Sequence, residues 1–372
     1  MKIGFDGKRA ANNLTGLGNY SRSLIFQLAK YFPNNEYHVY TPKVKEHPQI
    51  SDFFETGSIT LQGASKGLLW RSFGILKQLK SDQISLYHGL SQELPFGIST
   101  SGIAGIVTIH DLIYIRFPHY FPFIDRHIYR FKGQYACKHA DGIIAISERT
   151  RQDLIDCFKV PGEKVKVIYQ SCDDSFKTPF DSKRLQEIKR KYDLPDCFIL
   201  NVGTIEERKN QLLLVKAMNA LPQDCQLILI GKQQAYAGKV HAEIERLGLK
   251  DRVRFLKDVS FLDLPGIYQL AKVFAYPSIY EGFGIPIIEA LYSGVPVVAA
   301  TGSCLEEAGG PHSLYVHPND VDAMSSALNH LLASPDSCRE MVDKGLTFVQ
   351  KFNNDVIANQ LMAYYEAVVA RR

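Results

Sequence analysis

The sequence has little of what would place it outside the ordinary globular class. It has one tryptophan and seven cysteines, and the cysteines (137, 157, 172, 197, 225, 304 and 338) are scattered, with no close pair of the kind that holds zinc or makes a redox motif. They read as reduced thiols filling space. No apolar run reaches the roughly 18 residues that a spanning helix needs. The opening stretch MKIGFDGKRA is polar where a signal peptide would be apolar, which predicts a cytoplasmic protein. On that expectation the Asn13-Leu14-Thr15 sequon carries no meaning. A formal net charge of +4 is too small to argue for a nucleic-acid partner. Low-complexity tracts and internal repeats are absent.

What is present is length and alternation. At 372 residues the chain exceeds what one hydrophobic core usually supports, so two domains are expected. Short β-branched runs alternate with longer amphipathic ones, the pattern of parallel strands joined by crossover helices. The fold class is therefore α/β, with two doubly wound Rossmann-like domains facing a cleft. Strands are expected at 2–6, 37–41, 58–62, 84–88, 104–109, 142–146 and 165–169, with helices near 17–32, 68–79, 120–139 and 148–157. A second series of strands begins at 198–203 and continues at 226–231, 253–256, 273–277 and 295–300. Between the two series, 171–183 reads as a linker, and helical patterns near 320–333, 336–350 and 353–369 end the chain. The expected domains are 1–175 with 353–372, and 176–352.

Open α/β sheets bind ligands at the carboxyl ends of their strands, so motifs at those ends carry the functional reading. The strongest runs from Tyr280 to Val298, YEGFGIPIIEALYSGVPVV. Gly282 and Gly284 permit close backbone approach, and Pro286 suits a first helical turn, whose free N–H groups face an anion. Glu281 falls at a strand end and Glu289 inside the following helix, two carboxylates placed to hold sugar and ribose hydroxyls. In NVGTIEERKN (201–210), Arg208 and Lys209 combine a planar fork of donors with a compact charge, a pair suited to a diphosphate and expected on an exposed strand end. LTGLGNYSRSL (14–24) opens the first helix with Gly16 and Gly18, but Ser21 stands where a dinucleotide fingerprint has its third glycine. VTIHDLIY (107–114) sets His110 and Asp111 at the end of an apolar strand. Asp320-Val-Asp322 has the form of a divalent-metal motif, yet Asp320 as a helix cap with Asp322 in the first turn explains both charges.

The stretch from Pro277 to Val298 resembles the signature of glycosyltransferase family four, the group 1 glycosyltransferases. These are retaining enzymes with two Rossmann-like domains, in which two glutamates eight positions apart flank a Gly-Phe-Gly segment. The resemblance implies that Glu281 contacts the hydroxyls of the donor sugar and Glu289 the ribose. It also implies that Gly282, Phe283, Gly284 and Ile285 supply backbone contacts to sugar and diphosphate. Arg208 and Lys209, with Gly203 and Thr204 before them, match the pair that neutralises the leaving diphosphate. Gly16 and Gly18 match a loop that closes on phosphate and acceptor, and His110 a histidine that approaches the transferred sugar across the cleft. Asp111 reads as a loop-fixing residue, and Glu306 stands in the place of the glutamate in the family's Glu-Val-Ala-Gly turn. The last helix is expected to cross back to the first domain.

Two departures stand out. Tyr169-Gln170-Ser171-Cys172-Asp173 replaces the family's Pro-Asn-Gly-Val-Asp-like turn, and Asn210 follows Lys209 where glycine is commoner.

The expected activity is hexosyl transfer from a nucleotide-diphosphate sugar, its base unknown, to a glycan or lipid-linked acceptor. No cofactor and no metal are called for, since two cations and a helix terminus cover the diphosphate. The wording of the motifs leans to mannosyl transfer in bacterial surface polysaccharide or lipopolysaccharide assembly. Rival readings are a nucleotide-cofactor oxidoreductase, which leaves Glu281 and Glu289 unexplained, a non-catalytic sugar-nucleotide sensor, and an enzyme of the same fold using another donor. KGLLWRSFGILKQLK (66–80) reads as a basic amphipathic helix, either packed on the core or resting on the inner face of the membrane as a peripheral contact. The aromatic run from Tyr114 to Tyr135, with basic residues between, raises that possibility no further.

Overall fold

A computed structural model of the chain describes all residues except 64–66 and 68. It divides into two compact units, Met1–Gln170 with Asn354–Arg372, and Ser171–Asn353.

The first unit is built on a seven-stranded parallel sheet: β1 (Lys2–Asp6), β2 (Glu36–Thr41), β3 (Ile59–Gly63), β4 (Leu86–Gly89), β5 (Ala104–Ile109), β6 (Gly142–Ala145) and β7 (Val165–Val167). Their order is β3-β2-β1-β4-β5-β6-β7. The second holds six parallel strands, β8 (Phe198–Val202), β9 (Gln226–Ile230), β10 (Val253–Leu256), β11 (Val273–Tyr276), β12 (Val297–Ala300) and β13 (Leu314–Val316), in the order β10-β9-β8-β11-β12-β13. The strands read as apolar runs because helices cover both faces: every residue of β5, β6, β11 and β12 is buried. Strand β13 has no counterpart in the sequence reading. At three residues on the sheet edge it is too short to show a period.

Five helices matter below: α1 (Gly16–Tyr31), α2 (Phe123–His139), α3 (Ile285–Tyr292), α4 (Val321–Ala333) and α5 (Asn354–Ala370). Helix α5 follows the second unit in sequence but belongs to the first. Its buried Leu361, Met362, Tyr365 and Val368 join Ile3, Ile25 and Leu28 in one apolar cluster, so the chain ends by completing the core it began. Tyr365 also hydrogen-bonds the imidazole of the fully buried His88.

Two expectations are corrected. The boundary at 175/176 would cut the short helical turn Asp174–Lys177, which caps itself through Asp173 and packs with α3; the division falls before Ser171 instead. The helix expected over 66–80 starts as a π-type turn, Trp70–Gly74, that runs on into Ile75–Ser81. Lys66 lies outside the described residues. Trp70, Ile75 and Leu79 pack into the core, while Phe73 points outward.

In each sheet the strand order reverses once, between β1 and β4 and between β8 and β11. Loops leaving two such neighbours diverge to opposite faces and open a crevice at the carboxyl edge. Arg208 and Lys209 follow β8, and Glu281 follows β11, so the topology brings residues about seventy positions apart to one crevice.

Candidate active site of the second unit

After β8 the chain passes Gly203 and Thr204, the latter's carbonyl accepting a hydrogen bond from the Gln211 side chain at 3.1 Å. A tight turn, Glu207–Lys209, then presents Arg208 and Lys209. Asn210 closes it in the left-handed region at φ 57°, which asparagine tolerates better than most side chains. Its amide donates to the carbonyls of Pro277 at 3.3 Å and Pro318 at 2.7 Å. The departure from glycine thus keeps the backbone shape and adds a strap between three loops. The Ile279 amide donates to the Arg208 carbonyl at 2.8 Å, joining the loop after β8 to the one after β11.

Glu281 sits between the two cations. Its Oε2 lies 2.7 Å from Arg208 Nη1 and its Oε1 2.5 Å from Lys209 Nζ. Arg208 also pairs with Glu206 at 2.6 Å and donates to the Tyr280 carbonyl at 2.7 Å. Lys209 donates to the Tyr276 hydroxyl at 2.6 Å, and that hydroxyl donates to Glu281 Oε1 at 3.3 Å. The side chains are mostly enclosed, 17% exposed for Arg208, 13% for Lys209 and 12% for Glu281. This corrects the expectation that the two cations stand on an exposed strand end: each needs its carboxylate partner because a charge this far from water is costly unpaired. Burial alone would raise the Glu281 carboxyl, but Lys209 and Arg208 outweigh it and bring it down to about 2. Burial likewise pulls against the Lys209 ammonium, and Glu281 more than offsets it, so Lys209 ends above its ordinary value. All three groups are charged at neutral pH.

Gly282 and Phe283 form the turn into α3, and Gly284 precedes its first residue, Ile285. Gly284 adopts φ 145°, a conformation that side chains rarely adopt, and a Cβ there would stand 3.1 Å from that of Ala308. With Pro286 in the first turn, the α3 N-terminus opens beside the turn that carries Glu281. Phe283 is buried against Phe352, their ring centroids 5.3 Å apart. Glu289, one turn into α3, accepts from the Tyr268 hydroxyl at 2.8 Å. Burial lifts its carboxyl to about 7, against the Tyr268 hydrogen bond and helped by the Asp173 charge. One glutamate is locked as an anion, then, and the other is poised to titrate at neutral pH.

Three residues of this site escaped the sequence reading. Tyr276 ends β11 looking like any apolar strand residue, and Glu206 like one more charge in a charged turn. The Cys304 thiol contacts the carbonyls of Glu281 at 3.1 Å and Phe283 at 2.7 Å, holding the turn from behind. Glu306 fixes its own loop: its carboxylate accepts from Thr301 Oγ1 and from the Gly302 amide. Asp320 caps α4, accepting from the Ala323 amide at 2.8 Å.

The remaining expected residues lie in the first unit. Gly16 and Gly18 open α1, and Gly18 cannot carry a side chain, since a Cβ would meet the Asn13 carbonyl oxygen at 1.8 Å. His110 follows β5 and is 6% exposed, with Nε2 2.8 Å from the Leu90 carbonyl and Nδ1 3.3 Å from the Gln170 amide. Leu90 O can only accept, so Nε2 carries the proton and Nδ1 accepts from Gln170. Burial brings the imidazole down to about 4, so it is neutral at pH 7 with both nitrogens engaged. The Gln170 of the divergent 169–173 turn therefore supports His110. Asp111 fixes its loop as expected, accepting from the Ile113 amide at 3.1 Å.

Comparison with known proteins bears on the family and the fold. Residues 183–347 match the family described as glycosyl transferases group 1, and residues 15–176 match glycosyltransferase family 4. O-antigen chain mannosyltransferase B of Escherichia coli is 30% identical over 98% of this chain and 100% of its own. O-antigen chain mannosyltransferase RfbU of Salmonella typhimurium is 30% identical over 67% of this chain and 64% of its own. Among solved structures, Anabaena Alr3699/HepE in complex with UDP and glucose superposes with a TM-score of 0.79 at 19% identity, covering 99% of this chain and 100% of that one. With two parallel sheets, each reversing its strand order once, and a relative 30% identical that matches from end to end, the chain belongs to the group 1, family 4 glycosyltransferases.

Proposed function

We propose that this glycosyltransferase moves a mannosyl residue from a nucleotide-diphosphate sugar to a glycan or lipid-linked acceptor in surface polysaccharide assembly. Anomeric configuration is retained and no divalent metal takes part. The reading rests on the Glu281 carboxylate held between Arg208 and Lys209 beside the α3 N-terminus. The names of the E. coli and Salmonella relatives support mannose and O-antigen chains.

Before donor binds, two cations face two carboxylates, Glu206 and Glu281, and the group is neutral overall. A diphosphate brings negative charge that competes for Arg208 and Lys209, and the α3 N-terminus adds free amides. As the glycosidic bond breaks, the bonding pair passes to the leaving diphosphate oxygen, where the cations stabilise it. The acceptor hydroxyl attacks the anomeric carbon from the same face and gives its proton to that diphosphate. Glu281 accepts hydrogen bonds from hydroxyls of the transferring sugar and Glu289 from the ribose diol. The arrangement lowers the barrier through fixed charges and placement. Nucleotide sugars are made in the cytoplasm, where we place the enzyme.

Incubation with a panel of nucleotide sugars and a mannan-type oligosaccharide, followed by NMR of the new linkage, tests the reading. GDP-mannose should give an α-linked product from the α-linked donor. Tight donor binding without turnover would make the protein a sensor, and preferred turnover of another donor would refute mannose.

A further inference from the structure

Helix α2 crosses from β5 to β6 with its inner side packed and its outer side apolar. Gly133, Ala136 and Cys137 are buried, and Gly133 lets the Tyr114 hydroxyl approach, which a Cβ would meet at 3.0 Å. On the outer side Ile124, Ile128 and Phe131 fall at i, i+4 and i+7, one stripe of the helix. Ile124 is 70% exposed, Phe131 61%, and the adjoining Phe123 66%. The stripe continues onto the Trp70–Gly74 turn, where Phe73, 63% exposed, stacks on Phe96 at 4.7 Å; Phe96 in turn lies 6.3 Å from Phe131.

This surface is rigidly built. Tyr135 accepts from the Gly97 amide at 2.9 Å, Phe96 donates its amide to Ser72 at 2.7 Å, and Lys132 reaches inward to Glu93 at 3.0 Å. Single exposed apolar residues are common, whereas a fixed, contiguous group of large ones marks a contact surface. Its flanks are basic: besides Lys132, which Glu93 neutralises, α2 carries Arg126, Arg130 and Lys138 against Asp125 alone. Neither Arg126 nor Arg130 has a carboxylate partner within ion-pair distance among the described residues.

We infer that the outer face of α2, together with Phe73, docks on an anionic lipid bilayer. Apolar side chains at the acyl boundary with arginines among the headgroups is the arrangement of an interfacial helix. A second copy of the chain fits less well, because a two-fold contact through this stripe sets Arg126 and Arg130 against their own counterparts. Among the described residues no helix is long and apolar enough to cross a membrane, so the contact is peripheral. The topology also orients it. Since β5 and β6 are parallel, α2 runs back against them and its first turns lie near the carboxyl edge, the edge of His110 and the Gly16 loop. Docking through 123–131 turns that edge toward the bilayer, where a lipid-linked acceptor is held; this last step alone rests on the acceptor proposed above.

The test is co-sedimentation of the full chain with phosphatidylglycerol vesicles and with phosphatidylcholine vesicles. Wild type should bind the anionic vesicles at least about tenfold more tightly, with the preference shrinking in high salt. The triple variant Phe123→Ser, Ile124→Ser, Phe131→Ser should lose at least about tenfold in vesicle binding. Its thermal midpoint and its transfer to a short water-soluble acceptor should be unchanged. Arg126→Gln with Arg130→Gln should weaken the preference for phosphatidylglycerol. Failure of wild type to bind, or equal binding by the triple variant, overturns the inference. So does a concentration-dependent dimer that the triple variant abolishes, which would make the face a contact between copies. Absence of mannosyl transfer bears only on the proposed donor, because vesicle binding is read without turnover.

Discussion

Glu281 Oε1 lies 2.5 Å from Lys209 Nζ, and the carboxylate's other oxygen lies 2.7 Å from Arg208. The residue proposed to bind the donor sugar is thus also the counterion of the residues proposed to bind the diphosphate. A variant at any of the three disturbs the other two, so activity and stability must be read together.

Lys209→Met and Arg208→Met should each lower kcat by about a hundredfold to a thousandfold, the usual effect of removing a charged donor aimed at developing negative charge. Methionine keeps much of the apolar stem, so the loss is mainly electrostatic. Each should also cost stability, on the order of 3 kcal/mol for breaking a buried pair, because Glu281 is left with one cation. Pairing Lys209→Met with Glu281→Gln should recover part of that stability and none of the activity. Denaturant melts with steady-state rates decide it; near-normal kcat in both single variants would remove the clamp from the mechanism.

Donor affinity should depend on pH through Glu289. Its carboxyl is lifted to about 7 by burial, so below neutral pH it is protonated and gives up one of its two accepting oxygens. The donor KM should fall as pH rises through about 7, and Glu289→Gln should flatten that step while leaving kcat much less affected. Stability moves the opposite way. A folded value above the unfolded one stabilises fully in acid, and that contribution is lost as pH rises from the ordinary carboxylate range through about 7. Glu281 carries the reverse sign: its contribution is present above the ordinary range and lost as pH falls toward 2. A donor KM equally pH-dependent in Glu289→Gln would assign the step to another group.

Removing α5 should unfold the first unit. Leu361, Met362, Tyr365 and Val368 are fully buried there, and burial of such side chains contributes roughly 2 kcal/mol each. That sum rivals the about 5–15 kcal/mol net stability of a typical domain. Hydrogen exchange on a chain ending at Asn353 should show β1, β4 and β5 losing protection while β8 and β11 keep theirs. Equal protection in both units would mean that α5 is dispensable.

Transfer should persist in excess EDTA. Arg208, Lys209 and the α3 N-terminus are the groups proposed to meet the diphosphate charge, and Asp320 of the metal-like pair is engaged as a cap. Loss of turnover with chelator, restored by manganese or magnesium, would overturn the metal-free mechanism.

The alternation of apolar and amphipathic runs already determined two parallel α/β units. The spacing of Glu281 and Glu289 around Gly-Phe-Gly carried the resemblance to the family, because strand burial and helix entry impose local patterns that a linear chain displays. The same holds for the Asp320 cap, whose partner amide is three residues away. What only the tertiary structure decided depends on contacts between distant segments. Arg208 and Lys209 look solvated in a charged turn, and become enclosed because β8 and β11 are neighbours at the reversal of strand order. Tyr276 and Cys304 look like core filler until the loops they brace come together. The helix 66–80 reads as basic and amphipathic and the run 114–135 as aromatic with basic residues between, and periodicity alone cannot tell an apolar stripe that meets a core from one that meets solvent. Packing settles that: Trp70 and Leu79 turn inward, while Ile124 and Phe131 stay exposed among the described residues.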